Sequence, residues 1–222
     1  MDVLIIKKAA DVKIDKNIGR IFKNHNIIEY KSENDSLAVW DYNKVTGYAM
    51  IYSAFNKISV KDITISFVIT PKPIKLFDYL ANDRGFEVDE ASPGIYYVKG
   101  DTFAAQIIES KKLAAKENVF LKNLRGSLTH EDMQELFDAY RKYGSPEKVG
   151  AYLNRVLNAN LSIMEEVLAM SDAVLDVVFK HLEKNGALEK VLEENGTLKR
   201  IRRIRREKPH SKCLKGVLRQ MK

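Results

Sequence analysis

The sequence predicts an α/β domain, with a mixed sheet flanked by helices, followed by a helical C-terminal region. Two observations predict it. Strand-like apolar runs alternate with helical stripes up to about residue 110, in the order strand, helix, strand, helix, strand, helix, hairpin and strand. After about residue 115 only helical periodicity continues. We therefore divide the chain into an α/β domain over 1–115, a helical region over 116–196 and a basic tail over 197–222.

The α/β region opens with two short strands, residues 2–8 and 26–31, each apolar with charged residues at its edge. Asp15 stands between them at the position of an N-cap. The apolar residues that follow recur at the spacing of a short amphipathic helix: Ile14, Ile18, Ile21 and Phe22. The spacing predicts a helix there.

A longer helix is predicted from about Trp40 to Phe55, and its aromatic residues Tyr48, Tyr52 and Phe55 are more typical of helix packing than of a base-stacking platform. The clearest strand, residues 63–70, follows it, and its nearly unbroken apolarity predicts burial on both faces. The remaining predicted elements are a helix over 76–81 ended by Gly85, a hairpin over 86–88 and 95–98, and a strand over 103–108.

The C-terminal region has the signals of helix starts and stops. Thr129 and Asp132 have the spacing of a capping box. Gly144-Ser145-Pro146 is typical of the end of one helix and the start of the next. Residues 146–185 predict one long helix or two abutting ones.

Composition narrows the class of protein. Of the 222 residues, 45% are hydrophobic and 30% are charged, as in a globular protein with a sizeable core. No apolar run approaches the ~20 residues of a membrane span, and no signal-peptide pattern opens the chain, so we expect no membrane partner. The single cysteine, Cys213, excludes an internal disulfide and fits a cytoplasmic location.

The net charge of +7 is unevenly distributed. Residues 197–222 contain 11 Lys and Arg against one acid, whereas the preceding 196 residues contain 26 against 29 acids. The tail therefore predicts either a basic helix that binds DNA phosphates or a solvated end of the chain. The candidate phosphate ligands are Arg200, Arg202, Arg203, Arg205 and Arg206.

A candidate reactive site lies in the first two strands. Side chains alternate along a strand, so Glu29 and Lys31 should share one face, and pairing of the strands would let Asp2 approach Glu29. Two carboxylates and an ammonium suit metal-assisted phosphodiester cleavage, with Mg²⁺ or Mn²⁺ held by Asp2 and Glu29. A second E-x-K stands at Glu109-Ser110-Lys111, and a solvated edge pair is the alternative interpretation at both places.

Several segments in consistent order over residues 2–110 carry a family resemblance. They are Asp2-Val-Leu-Ile-Ile-Lys-Lys, Asn17-Ile-Gly-Arg-Ile-Phe, Asn26-Ile-Ile-Glu-Tyr-Lys-Ser, Asp35-Ser-Leu and Tyr42-Asn-Lys-Val-Thr-Gly-Tyr-Ala. Together they resemble the PD-(D/E)xK nuclease superfamily, and within it the bacterial group of recombination-promoting nucleases and transposases. The resemblance implies a restriction-endonuclease-like sheet, a DNA substrate, catalytic roles for Asp2, Glu29 and Lys31, and a phosphate contact from Lys44, which is otherwise an ordinary surface lysine.

The resemblance also implies a helix and a strand ahead of the aspartate strand, whereas the chain opens at Met1-Asp2. Either the true start lies further upstream or this is a shortened, degenerate member, and we expect weak or no cleavage from this polypeptide. The competing hypotheses are a non-catalytic nucleic-acid-binding or assembly protein that retains the fold, and a basic helical nucleic-acid-binding protein. The C-terminal helical region and the basic tail would hold nucleic acid or mediate assembly, and these helices are a candidate surface for a homo-oligomer.

Overall fold

The structure, a computed structural model, describes residues 3–9, 12–143 and 146–170, together with Glu193, Lys199, Arg202, Arg203 and Arg206. The chain divides into two compact units, Met1–Lys122 and Asn123–Lys222. The first contains a six-stranded mixed sheet flanked by helices, which confirms the predicted α/β class. The boundary near residue 115 stays a prediction, and the helix over 115–122 belongs to the first unit.

Each strand predicted from the sequence is present. The strands are β1 (Val3–Lys7), β2 (His25–Tyr30), β3 (Ile63–Ile69), β4 (Glu87–Ser92), β5 (Ile95–Lys99) and β6 (Ala104–Glu109). The helices of this unit are α1 (Val39–Asn56), α2 (Ile74–Asp78, continued by a π-helical segment over Tyr79–Asp83) and α3 (Ala115–Lys122). The main difference among the strands is that β4 runs to Ser92, which leaves only Pro93 and Gly94 to turn the hairpin.

The strand order is β1-β2-β3-β6-β5-β4. The three central strands β2, β3 and β6 are parallel, and α1 forms the connection from β2 to β3. At one edge β1 pairs antiparallel with β2, and at the other the hairpin of β4 and β5 pairs antiparallel with β6. The carboxyl ends of three neighbouring strands, β2, β3 and β6, therefore lie side by side at the same end of the sheet.

Two apolar layers hold the sheet. Residues of α1 and α2 cover one face, where Tyr42 stacks on Phe67 with ring centroids 5.1 Å apart. The opposite face packs a smaller cluster around Val68 and Ile108, with Leu121 of α3 against it. All seven residues of β3 are buried, as predicted for a strand covered on both sides.

The helix predicted over residues 14–22 is wrong, because the segment forms only a single 3-10 turn at Asn17–Gly19, with Lys16 rather than Asp15 at the N-cap. A stripe this short gives little helical stability in isolation. The Asn17 side chain also accepts hydrogen bonds from the Ile18 amide at 2.8 Å and from Asn118 at 2.8 Å. These bonds favour a turn over a continuing helix.

The described part of the second unit contains three helices, α4 (His130–Tyr143), α5 (Pro146–Ala159) and α6 (Leu161–Met170). The predicted capping box is confirmed: the Asp132 amide donates to Thr129 Oγ1 at 3.2 Å, and the Thr129 amide to Asp132 Oδ2 at 3.1 Å. From Pro146 to Met170 the chain forms two helices, α5 and α6, which meet at Asn160. The rest of the predicted helical stretch, to residue 185, lies outside the described residues. No described helix is long and apolar enough to span a membrane.

Candidate functional site

Glu29 lies near the carboxyl end of β2, between Val3 of β1 and Phe67 of β3. Its side chain shares the face of Ile27, which α1 covers, and it is only 1% exposed. The Lys31 amide donates to the Val68 carbonyl at 2.8 Å, which extends the pairing one residue beyond the strand. Lys31 therefore keeps the alternation of the strand and lies on the same face as Glu29.

The Glu29 carboxylate is incompletely satisfied. Its Oε1 lies 3.9 Å from Lys31 Nζ, a distance that is electrostatic contact and not a hydrogen bond. Its Oε2 is buried and has no hydrogen-bond partner in the described part of the chain. Burial raises the pKa of Glu29, and the ammonium groups of Lys31 and Lys44 oppose this only in part.

The nearest acid to Lys31 is Asp41, which the sequence analysis missed. Lys31 Nζ lies 3.0 Å from Asp41 Oδ1, and Lys44 Nζ lies 3.4 Å from the same oxygen. Asp41 Oδ2 accepts the Ala38 amide at 3.1 Å, so the carboxylate also caps the start of α1. Burial alone would raise the Asp41 pKa, but hydrogen bonds from Lys31 and Ala38 lower it below its usual value. The sequence contains one signal that could have identified Asp41: it is an acidic residue in the first turn of a predicted helix, where the helix dipole favours negative charge.

The remaining predicted site residues are not brought together by the described structure. Asp2 lies outside the described residues, although Val3 stands directly opposite Glu29 in the β1–β2 pair. Lys44 is on α1 beside Asp41, with its side chain 43% exposed. Among the described residues, no group of three or more His, Cys, Asp or Glu side chains is placed to hold a metal ion.

Only part of the basic tail can be placed. Arg200 and Arg205 lie outside the described residues. Arg202, Arg203 and Arg206 are helical and exposed, and Arg202 Nη1 lies 3.7 Å from Glu193 Oε1. Their predicted contact with DNA stays a prediction.

The second E-x-K is built differently from the first. Glu109 ends β6 and is buried, and its Oε2 accepts the Tyr96 hydroxyl at 3.1 Å and lies 3.2 Å from Lys112 Nζ. Its cationic neighbour is thus Lys112, while Lys111 of the tripeptide is exposed. The alternative of a solvated edge pair is wrong for both glutamates, since both are buried.

The aromatic set on α1 is divided between two surfaces. Tyr52 packs against the core, and its hydroxyl lies 3.0 Å from His25 Nδ1. Tyr48 and Phe55 are exposed, so the prediction that they pack within the fold is wrong. Position along the helix explains the division, because Val45 and Ala49 face the sheet, whereas Tyr48 and Phe55 lie about 80° to 100° away from them around the helix.

Comparison with known proteins adds no functional information for this chain. No family model, curated protein or solved structure matches it. The function is therefore argued from the site alone, and the distinguishing feature of that site is the buried carboxylate of Glu29 beside Lys31.

Proposed function

We propose that this chain is a metal-dependent DNA endonuclease-like protein with a restriction-endonuclease-like sheet, and that its turnover is weak or lost. One observation carries the proposal. The Glu29 carboxylate is buried, its Oε2 has no hydrogen bond from any described residue, and Lys31 follows two residues later on the same face. Buried polar groups are nearly always satisfied, so an unsatisfied carboxylate oxygen at a strand end is typical of a site completed by a ligand.

The donor atoms fit a hard divalent cation, Mg²⁺ or Mn²⁺, because such ions bind carboxylate oxygens. Glu29 would supply one ligand, and Asp2, one residue ahead of β1, would supply a second. When bound, the ion would provide a water of lowered pKa and would neutralise charge on a phosphodiester. Burial raises the pKa of Glu29, and a cation binds the deprotonated carboxylate, so cation binding should strengthen as the pH rises through that pKa.

Lys31 is the residue that would act on the phosphate. Its ammonium would hold the attacking water or balance the negative charge that develops on the phosphate oxygens. Only 16% of the Lys31 side chain is exposed, so its charge acts in a partly desolvated setting where it has a large effect. The basic tail would add affinity for DNA without regard to sequence, through its phosphates.

The second candidate is a non-catalytic nucleic-acid-binding or assembly protein that retains this fold. One specific observation favours it: Lys31 Nζ is closer to Asp41, at 3.0 Å, than to Glu29, at 3.9 Å. A lysine neutralised by a neighbouring carboxylate has less charge to offer a phosphate. The same contact accounts for weak turnover in the first candidate, so the two candidates differ in whether any metal-dependent cleavage remains.

Nicking of supercoiled plasmid by the full chain tests the proposal, with Mg²⁺, with Mn²⁺ and with chelator. We expect slow nicking that needs the metal and falls on the order of 100-fold in Glu29→Gln and in Lys31→Met, because each change removes a charged group from the reacting centre. Nicking that survives either substitution would show that the activity comes from another site.

The second E-x-K supplies matched controls, since Glu109→Gln and Lys111→Met alter the same residue types elsewhere in the same sheet. Both controls should nick as the unaltered chain does. If no variant nicks at all, Mn²⁺ binding measured by electron paramagnetic resonance decides between the candidates. Binding lost in Glu29→Gln but kept in Glu109→Gln supports a nuclease-like metal site that lacks turnover, and no binding by the unaltered chain supports the non-catalytic protein.

A further inference from the structure

Helix α1 is apolar on two opposite sides, and the fold buries only one of them. Tyr42, Val45 and Ala49 face the sheet and are buried. The outward side has four large apolar residues, with exposed fractions of 79% for Trp40, 45% for Tyr48, 55% for Ile51 and 85% for Phe55. A helix that is hydrophobic all round is normally covered on every side.

The exposed residues form one continuous stripe. At about 100° per residue, positions 40, 44, 47, 48, 51 and 55 fall within an arc of about 100°, centred away from the sheet. We call these six residues the α1 stripe: Trp40, Lys44, Gly47, Tyr48, Ile51 and Phe55. An arc of this width is what a helix typically buries against a neighbouring element.

The α1 stripe is symmetric about its own midpoint. Trp40 and Phe55 lie at equal distances on either side of the point between residues 47 and 48, and so do Lys44 and Ile51. A twofold axis through that point would therefore pack two antiparallel copies of α1 with Trp40 of each against Phe55 of the other. Contacts that repeat in this way define an isologous interface, the commonest arrangement in soluble oligomers.

Gly47 lies at the midpoint of the stripe, and no contact within the fold requires a glycine there. A Cβ added there would meet nothing within 4 Å, and glycine weakens a helix interior relative to alanine. Small residues at a helix crossing let two backbones approach closely. A second helix crossing at Gly47 accounts for a glycine that the chain itself does not need.

We propose that the α1 stripe is the interface of a homodimer, in which two α1 helices cross antiparallel at Gly47. The four exposed apolar side chains offer on the order of 550 Å², the upper end of apolar patches on monomers. Two copies would bury on the order of 1,100 Å², enough for a specific but reversible dimer. The twofold places Lys44 of each copy opposite Ile51 of the other, and there the Lys44 ammonium is already paired, 3.4 Å from Asp41 Oδ1.

Sedimentation velocity of the full chain over a concentration series, from about 1 to about 200 µM, tests the proposal. We expect a monomer–dimer equilibrium within that range. Ile51→Lys should raise the dimer dissociation constant at least about 10-fold, because it buries a charge in the interface. Gly47→Gln should weaken the dimer comparably while raising the thermal midpoint of the monomer, since glutamine favours a helix more than glycine does and there is open space where its Cβ would lie.

Met50 provides the matched control. It neighbours Ile51 in sequence and is 44% exposed, but it points off the stripe, so Met50→Lys should leave the dissociation constant within about twofold of the unaltered value. A chain that remains monomeric at the highest concentration overturns the proposal, whatever else binds the stripe. A dimer whose dissociation constant is unchanged by both Ile51→Lys and Gly47→Gln also overturns the proposal. The interface would then be another surface, such as the C-terminal helices.

Discussion

Glu29 and Glu109 stand in nearly the same place in one sheet, yet their surroundings differ. Each is near the carboxyl end of a parallel strand, each is buried, and each is followed two residues later by a lysine. Glu29 is paired with Phe67 and Glu109 with Ile69, two positions along the same strand, so both side chains lie on one face. A sequence pattern cannot separate them.

The hydrogen bonds around the two carboxylates separate them. Glu109 accepts the Tyr96 hydroxyl and lies beside the Lys112 ammonium, so the protein itself satisfies the charge. Glu29 has one oxygen 3.9 Å from Lys31 and the other without a hydrogen bond from the described residues. The difference teaches that a structural carboxylate is recognised by its completed set of donors, and a candidate ligand site by a missing one.

The largest expected effect is on stability. Replacing each glutamate by methionine, which is similar in size and cannot ionise, should give different results in urea denaturation at pH 7. Glu109→Met leaves the buried Tyr96 hydroxyl without its acceptor and should lower the free energy of unfolding by about 2 kcal/mol. Glu29→Met removes an unsatisfied buried carboxylate and should leave that free energy unchanged or raise it.

A surface substitution serves as the baseline for this pair. Lys111→Met changes an exposed side chain next to Glu109 and should shift the free energy of unfolding by no more than about 0.5 kcal/mol. Equal losses in Glu29→Met and Glu109→Met would mean that Glu29 is as well satisfied as Glu109. The comparison, and with it the basis of the proposed site, would then be lost.

Much of the fold follows from the sequence. Period-two and continuous apolar runs locate all six strands, and the capping residues locate α4. The short stripe over 14–22 gives a wrong prediction because nine residues of helical spacing have little helical stability on their own. Hydrogen bonds to the Asn17 side chain stabilise a turn there instead. The wrong expectation for Tyr48 and Phe55 has another cause: a helix that is apolar all round does not reveal which side the sheet covers.

The site is predictable only in part. Alternation along β2 correctly brings Glu29 and Lys31 to one face, because that relation is local. The pairing of Lys31 with Asp41 depends on how α1 docks on the sheet, and the Tyr96–Glu109 bond depends on the hairpin beside β6. Such contacts between distant segments have no signal in the spacing of residues.

The effect of pH should distinguish the acids around Lys31. The pKa of Glu29 is raised, so the folded state holds its proton more tightly than the unfolded chain, and the protein should lose stability as the pH rises above about 4.5 through the folded pKa. Glu29→Gln lacks this loss. We would measure the free energy of unfolding by urea denaturation between about pH 4 and 8. Relative to the unaltered chain, that of Glu29→Gln should become more favourable as the pH increases.

Asp41 should behave in the opposite way. Its pKa is lowered, so its carboxylate stabilises the fold above the unfolded pKa and that contribution disappears as the pH falls through the folded pKa. Asp41→Asn should be destabilised at neutral pH and approach the unaltered chain in acid. If both variants followed the same pH trend, Lys31 would not stabilise the Asp41 carboxylate more than the Glu29 carboxylate. The shorter distance from Lys31 to Asp41 indicates that it does.

The smallest expected effect concerns which lysine serves Glu109. The chain leaves β6 in a 3-10 turn over Ser110–Lys112, so the alternation of the strand ends and the third residue, Lys112, returns to the carboxylate. After Glu29 the backbone stays extended, and the second residue, Lys31, remains on its face. Lys112→Met should therefore give a small decrease in the urea midpoint while Lys111→Met gives none. A larger decrease from Lys111→Met than from Lys112→Met would contradict this. The two E-x-K segments would then not differ because of the path that the backbone takes after each strand.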